Sequence, residues 1–167
     1  MALITITGEE EEFDWVLGTV YFPLFDADIE VSIHDKAPVQ YAERCAEAVQ
    51  NLSASVVDEL CAASIRYCED IRKLYLDEGW DFSVPEGVSG RAILDHVSKD
   101  GTLNIDPPEG DGVGFRFELN CDWEEEHGLE WSILNGEVVY VGSFSDENPW
   151  RGRDYFKTAS WNYAQLA

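Results

Sequence analysis

The alternation of apolar and polar residues is strictest near the C-terminal end of the chain, in residues 112–142. Nine consecutive residues there alternate with a period of two: Val113, Gly114, Phe115, Arg116, Phe117, Glu118, Leu119, Asn120 and Cys121. This is the period of a β-strand with one buried face. Further strands are predicted over residues 129–133 and 137–141, because the dipeptide Asn135-Gly136 between them favours the type I′ turn of a hairpin.

A second hairpin is predicted near the N-terminus, over residues 13–34. Residues 13–22 are mostly aromatic and β-branched, and residues 29–34 alternate with their apolar side chains at odd positions. In that register His34 falls on the polar face. We therefore expect His34 to be an exposed, ordinary histidine.

The middle of the chain, residues 38–78, predicts a long helical pair. Apolar residues recur there at three- and four-residue intervals, as on one side of a helix: Tyr41, Cys45, Val49 and Leu52 in the first helix, and Val57, Leu60, Cys61, Ile65, Cys68, Ile71 and Tyr75 in the second. Ser53 is suited to cap the second helix, and Gly79 is suited to end it.

The remaining segments complete a single predicted globular domain, residues 1–167. Residues 3–6 suit either a short strand or a loose terminus, and the C-terminal strands are predicted to span residues 103–143. The aromatic tail, residues 144–167, is expected to dock onto the domain, or alternatively to present its aromatic side chains to a partner. The whole pattern predicts an α+β fold: an antiparallel β-sheet of five or six strands with the long helical pair packed on one face.

The composition adds a strong acidic bias. The 167 residues include 34 Asp and Glu and 11 Lys and Arg, which makes the formal net charge −23. This charge disfavours phosphate backbones and anionic membranes, so neither nucleic acid nor a membrane is an expected partner. It favours a basic protein partner, and the alternative is that the acidity serves only solubility. No pattern indicates an oligomeric state.

Cysteine spacing and the N-terminal residues bear on cofactors and location. The four cysteines, Cys45, Cys61, Cys68 and Cys121, lack CxxC spacing, which predicts free, buried, reduced thiols. We expect neither a metal nor a cofactor, because the chain contains no HExxH, P-loop or comparable motif. With no signal-peptide pattern and no apolar stretch of membrane-spanning length, the expected location is cytoplasmic.

Potentially functional side chains are densest in the loop between two predicted strands, residues 122–128. The candidate binding residues are Trp123, Glu124, Glu125, Glu126 and His127, and no residue is assigned a catalytic role. The loop could be an acidic recognition patch, a metal or acid/base site, or only a structural turn. The odd-numbered apolar register favours an inward-pointing Trp123.

The loop and the hairpin that follows it resemble a family of small bacterial proteins of unknown function. The shared hallmark is a Trp-acid-x-Glu-His-Gly loop, here Trp123 to Gly128, followed by a hairpin that ends in Val-Gly, here Val141-Gly142. These proteins resemble immunity-type proteins, which bind and neutralise bacterial toxins. The resemblance implies no catalytic residue, and it does not reach the N-terminal hairpin or the aromatic tail.

The function that the sequence favours is a non-catalytic, acidic protein-binding domain, immunity-like in that it would neutralise a basic toxin. The alternative is a metal-binding or acid/base enzyme that uses Glu124, Glu126 and His127. The two hypotheses differ in a measurable way, because the first predicts salt-dependent affinity and the second predicts stabilisation by a divalent ion.

Overall fold

The computed structural model describes residues 1–166, in which seven strands form one sheet. The strands are β1 (Thr5–Glu10), β2 (Trp15–Phe22), β3 (Ala27–Ile33), β4 (Thr102–Ile105), β5 (Gly114–Leu119), β6 (Leu129–Leu134) and β7 (Glu137–Gly142). Their order across the sheet is their order along the chain. The α+β class is therefore confirmed, and the predicted count of five or six strands is too low because residues 5–10 also pair with the sheet.

The helices of the described residues are α1 (Val39–Gln50), α2 (Ala54–Asp77) and α3 (Gly152–Thr158), and short 3-10 helices span Glu11–Phe13, Pro23–Phe25, Gly90–His96 and Pro149–Arg151. The predicted helical pair is confirmed as α1 and α2. The hydroxyl of Ser53 caps α2 by accepting a hydrogen bond from the backbone N–H of Val56 at 3.2 Å. Among residues 1–166, no helix combines the length and apolarity that crossing a lipid bilayer requires.

The sheet is mixed, which corrects the prediction of an antiparallel sheet. Strands β3 and β4 pair in parallel, whereas the other neighbouring strands pair in antiparallel. The reason is the long connection between β3 and β4, which contains α1 and α2. A crossover of this kind carries the chain back to the end of the sheet where β3 began, so β4 runs in the same direction as β3.

The register of the central strands separates an apolar face from a polar face. One row across β3 to β7 consists of Val31, Leu103, Phe117, Trp131 and Val141, all buried. The helical pair covers this face, where the indole N–H of Trp131 donates to the Ser64 hydroxyl of α2 at 3.0 Å. The next row consists of Ser32, Asn104, Arg116, Ser132 and Tyr140. Because side chains alternate along a strand, this polar row lies on the face opposite the helices.

Both predicted hairpins are confirmed. Strands β2 and β3 pair over residues 16–33, and β6 pairs with β7 through a turn in which Asn135 and Gly136 have φ angles of 52° and 77°. Two positive φ angles are what a type I′ turn requires, and asparagine and glycine adopt them with the least strain.

The aromatic tail docks onto the sheet over residues 144–166, as predicted. Ala167 lies outside the described residues. Phe156 is buried against β7, and the backbone N–H of Tyr163 donates to the Val141 carbonyl at 2.8 Å. The side chain of Asn162 accepts from the Val141 N–H at 3.1 Å. The tail thus covers the outer edge of β7, although Trp161 stays 70% exposed.

The cysteines agree with their prediction. Cys45, Cys61, Cys68 and Cys121 are free and buried. Burial raises the pKa of the first three thiols to about 11 and that of Cys121 to about 12. Thiols with such a pKa stay protonated near neutral pH, which fits a packing role.

Candidate functional site: a polar cleft on the open face of the sheet

A cleft of about 930 Å³ lies on the polar face of the sheet. Its floor is made by β3, β4 and β5, and it is bounded by the β1–β2 connection on one side and by residues 143–148 on the other. Six carboxylates line it: Glu10, Glu30, Asp35, Asp106, Glu118 and Asp146. The cationic or imidazole side chains of its lining are Arg116 and His34, and its aromatic ones are Phe13, Trp15 and Phe144.

A chain of ion pairs crosses the floor. Asp106 accepts from Nδ1 of His34 at 3.3 Å and from Nε of Arg116 at 3.1 Å, and Nη1 of Arg116 continues to Asp146 at 2.8 Å. The side chain of Arg116 is only 3% exposed. A buried guanidinium needs such partners, because an unpaired charge in the protein interior is strongly destabilising.

These contacts set the charge states of the pair. Burial by itself raises the pKa of the Asp106 carboxyl, but the hydrogen bonds from His34 and Arg116 outweigh it, and the net pKa is lowered. Burial lowers the pKa of Arg116, and the bond to Asp106 reverses this effect, so its net pKa is raised. Asp106 is therefore a carboxylate and Arg116 a cation near neutral pH.

The position of His34 corrects the prediction of an exposed histidine, because the residue is only 7% exposed. Trp15 stacks on its ring with centroids 4.3 Å apart. The backbone N–H of His34 donates to the Ile105 carbonyl at 2.9 Å, which brings Asp106 alongside. Since the Asp106 carboxylate is an acceptor, Nδ1 of His34 carries a proton and donates it to this contact.

Two buried polar atoms beside the floor have no hydrogen-bond partner within residues 1–166. They are Oγ of Ser32 in β3 and Nε2 of His34, the residue that directly follows β3. Native structures rarely leave buried polar atoms unpaired, and such atoms often mark a functional site. The cleft therefore combines negative charge with unused hydrogen-bonding capacity.

The wall formed by residues 143–148 is fixed in place by Glu130, which is fully buried. Its carboxylate accepts from the backbone N–H groups of Ser145 and Asp146 at 3.0 and 3.2 Å, and from the Ser145 hydroxyl at 2.9 Å. Burial raises the pKa of Glu130 in spite of these bonds. Their structural effect is to hold Phe144 and Asp146 at the edge of the cleft.

In the acidic loop of residues 122–128, the carboxylate of Glu124 binds the backbone of the loop itself. Glu124 accepts from the backbone N–H groups of Glu126 and His127 at 3.2 and 3.3 Å, and its other oxygen lies 3.3 Å from Nδ1 of His127. These bonds support the structural-turn alternative for the loop. In residues 1–166 no group of three or more His, Cys, Asp and Glu is arranged to hold a metal ion.

Trp123 points inward, as its register predicts. It is 1% exposed and packs edge-on against Tyr67, with ring centroids 6.0 Å apart. As a candidate binding residue it is therefore corrected to a core residue, since it offers no surface to a partner. Glu125, Glu126 and His127 are exposed, and the His127 carbonyl accepts from the Phe144 N–H at 2.8 Å. The loop thus adjoins the wall of the cleft.

Sequence reasoning missed the cleft, although one signal was visible. Most even-numbered residues of β3, β5 and β6 are polar, with Gly114 and Leu134 as the exceptions, and the alternation places them toward solvent. Several of these side chains are in fact buried, including Ser32, Arg116, Glu130 and Ser132. An arginine and a glutamate on neighbouring strands could have indicated a polar interior on that face.

Comparison with known proteins assigns a family but no activity. The family described as "Domain of unknown function (DUF6985)" matches residues 5–148, which include all seven strands and the helical pair. No curated protein and no solved structure matches the chain.

Proposed function

The chain belongs to the family described as "Domain of unknown function (DUF6985)", and from its cleft we propose that it is a non-catalytic binding domain for a basic protein. The observation that carries the proposal is the cleft itself. Its six carboxylates exceed its cationic side chains, and Arg116 is already paired with Asp106 and Asp146. A concave, acidic and partly aromatic surface attracts a cationic partner and holds it.

The acidity of the whole chain supports the same interpretation. A net charge of −23 creates a long-range field that speeds the approach of a basic protein. The cleft provides a place where that attraction becomes a defined contact. The exposed residues Glu125 and Glu126 adjoin it through Phe144, so the predicted loop can contribute to the rim of the same surface.

An immunity-like role is the specific form of this proposal. It rests on the resemblance of the loop and hairpin, together with the charge. A toxin encoded directly upstream would be the expected partner, and co-expression of this protein should then restore growth to cells that produce that toxin. A toxin with an acidic binding surface, or growth that the protein does not restore, would count against the immunity-like role.

The alternative metal or acid/base site has less support. Its central residue, Glu124, accepts hydrogen bonds from the loop backbone, and none of Glu124, Glu126 and His127 lines the cleft. A thermal shift with divalent ions that disappears in His127→Ala would revive this alternative.

The binding proposal is tested with two matched double variants. Glu30→Gln with Glu118→Gln removes two charges from the cleft, and Glu125→Gln with Glu126→Gln removes two from the loop. All four side chains are exposed, so both proteins should fold. The probe is a short peptide of alternating lysine, arginine and glycine, measured by calorimetry at several salt concentrations.

We expect the cleft variant to weaken binding by about tenfold or more, which corresponds to ~1.4 kcal/mol, and the loop variant to weaken it by less than about threefold. Affinity should fall as salt rises, because exposed charges are screened. Equal effects of the two variants would show that the peptide responds to the general surface charge and not to the cleft. A salt-independent affinity would overturn the electrostatic basis of the proposal.

A further inference from the structure

The floor of the cleft is richer in hydrogen-bond acceptors than in donors. Glu30 and Glu118 contribute exposed carboxylates, and Glu118 also accepts a hydrogen bond from Nδ2 of Asn104 at 3.4 Å. Further along the same side of the floor are the buried, unpartnered Oγ of Ser32 and Nε2 of His34. The donors of Arg116 that reach the floor are directed to carboxylates of the ion-pair chain. A ligand that fits this floor must therefore supply several donors.

The register separates the acceptors by a distance that suits a broad donor group. Glu30 is opposite Thr102, and Thr102 is opposite Glu118, so the two glutamates stand two strands apart. With neighbouring strands about 4.8 Å apart, their Cα atoms are separated by roughly 10 Å. Ser32 lies one step further along β3 on the same face. The acceptors therefore surround an opening and do not converge on one point.

The aromatic side chains at the rim suit a flat cation. Phe13 on one side and Phe144 on the other are both exposed, and Phe13 lies against Trp15 with ring centroids 5.1 Å apart. Guanidinium groups are weakly hydrated and stack on aromatic faces, whereas an ammonium group is compact and strongly hydrated.

From this arrangement we infer that the cleft is a guanidinium site, which receives an arginine side chain of the basic partner between Glu30 and Glu118. The inference rests on the proposed function and makes it more specific. Arginine carries five N–H donors in a planar fork, which can reach carboxylates on both sides at once. Lysine carries its three donors on one nitrogen and cannot span the same opening.

The test compares three peptides that differ only at one central position, which holds arginine, lysine or the uncharged isostere citrulline. Binding is measured by calorimetry with the full chain. We expect the arginine peptide to bind about tenfold more tightly than the lysine peptide, and the citrulline peptide to bind most weakly. A fourth probe, N-acetyl-arginine amide, separates an arginine within a protein from a free guanidinium compound.

Variants link the preference to the site. Phe13→Ala should reduce the preference for arginine over lysine, because it removes an aromatic face at the rim; Tyr21→Ala, at an exposed position of β2 outside the lining, is the control. In the ¹⁵N spectrum, the backbone amide signal of Thr102, which lies between the two glutamates, should shift with the arginine peptide and not with the citrulline peptide. Glu30→Gln alone and Glu118→Gln alone should each lower the affinity for the arginine peptide.

The outcomes are distinct. Equal affinity for the arginine and lysine peptides, both lost in the double Glu30→Gln, Glu118→Gln variant, would overturn the guanidinium inference and leave the binding proposal intact. No affinity for any cationic peptide would overturn the binding proposal as well. If N-acetyl-arginine amide bound as tightly as the peptide, the claim that the arginine belongs to a protein partner would be overturned.

Discussion

Two acidic regions of this protein, the loop of residues 122–128 and the cleft on the open face of the sheet, use their carboxylates in different ways. In the loop, Glu124 accepts hydrogen bonds from the N–H groups of Glu126 and His127 and so closes the turn. In the cleft, Asp106 holds a buried network together, while the exposed Glu30 and Glu118 line the same floor as the unpartnered Ser32 Oγ and His34 Nε2.

This contrast shows that a high density of acidic residues in the sequence does not by itself locate a binding site. The loop has the denser cluster, but its most buried carboxylate serves the backbone. The cleft collects its residues from distant segments, and the unpartnered Ser32 Oγ and His34 Nε2 lie beside its concave surface, whereas the unpartnered Nε1 of Trp123 in the loop is enclosed in the core. The binding proposal therefore rests on the cleft, where unused hydrogen-bonding capacity meets a concave surface, and not on the loop.

The largest effect is expected in the loop, from Trp123→Ala. Because this side chain is 1% exposed within the core, its truncation should lower the free energy of unfolding by about 3–5 kcal/mol. Urea denaturation followed by circular dichroism measures the loss. Trp161→Ala is the matched control, since that side chain is 70% exposed and its loss should change little. Similar stabilities for the two variants would contradict the buried position of Trp123.

A comparable effect is expected in the cleft from Arg116→Met, which leaves the buried Asp106 carboxylate without its guanidinium partner. Removing one member of a buried pair costs about 3–5 kcal/mol. The control is Lys73→Met, whose contact with Asp70 is exposed and should contribute less than about 1 kcal/mol. If chemical denaturation gave the same small change for both variants, the network on the floor would have no structural importance.

The carboxyl of Asp106 in the cleft and the carboxyl of Glu130 behind its wall should respond to pH in opposite directions. The stability that Asp106 contributes is present above the ordinary pKa of 3.8 and is lost as the pH falls through its lowered folded-state pKa. For Glu130 the folded-state pKa is raised, so its burial destabilises the fold as the pH rises from 4.5 through that pKa. The two pH effects on stability have opposite signs because Asp106 is stabilised as an anion, whereas Glu130 is easier to bury when it is protonated.

Two variants measure this opposition by denaturation across the acid range. Asp106→Asn should be less stable than the natural protein near neutral pH, and the gap should close in acid. The stability of Glu130→Gln relative to the natural protein should increase as the pH rises, because its amide stays neutral while the buried Glu130 carboxyl ionises. The amide can donate to the Ser145 hydroxyl while its oxygen accepts from the backbone. Parallel pH profiles for the two differences would contradict the assigned charge states.

The smallest effects are expected at the surface of the loop. Glu124→Ala should cost about 0.5–2 kcal/mol, as the loss of a capping side chain does. Glu125→Ala should stay within about 0.5 kcal/mol, since its side chain is exposed. Thermal denaturation distinguishes them, and an equal loss in both would show that Glu124 does not close the turn.

Local patterns predicted much of the fold, because they depend on neighbours in sequence. The alternation in residues 113–121, the Asn135-Gly136 turn and the Ser53 cap were each predicted from a few adjacent residues. The inward position of Trp123 followed from the same register. The parallel pairing of β3 with β4 was not predictable in this way, because α1 and α2 separate the two strands.

The candidate site was largely unpredictable for the same physical reason. His34 and Asp106 are far apart in the chain and meet only because the crossover places β4 next to β3. Glu130 and Arg116 have the pattern of ordinary polar positions on half-exposed strands, and only the packing of residues 143–148 over them removes them from solvent.

Composition and the periodicity of single elements were enough to establish the acidic charge, the α+β class, the helical pair and the register that buries Trp123. Three other properties emerged only when the chain was folded: which polar faces are buried, which carboxylates are already paired, and where a cleft remains. Those properties depend on contacts between strands that are remote in the chain, and no local pattern encodes such contacts.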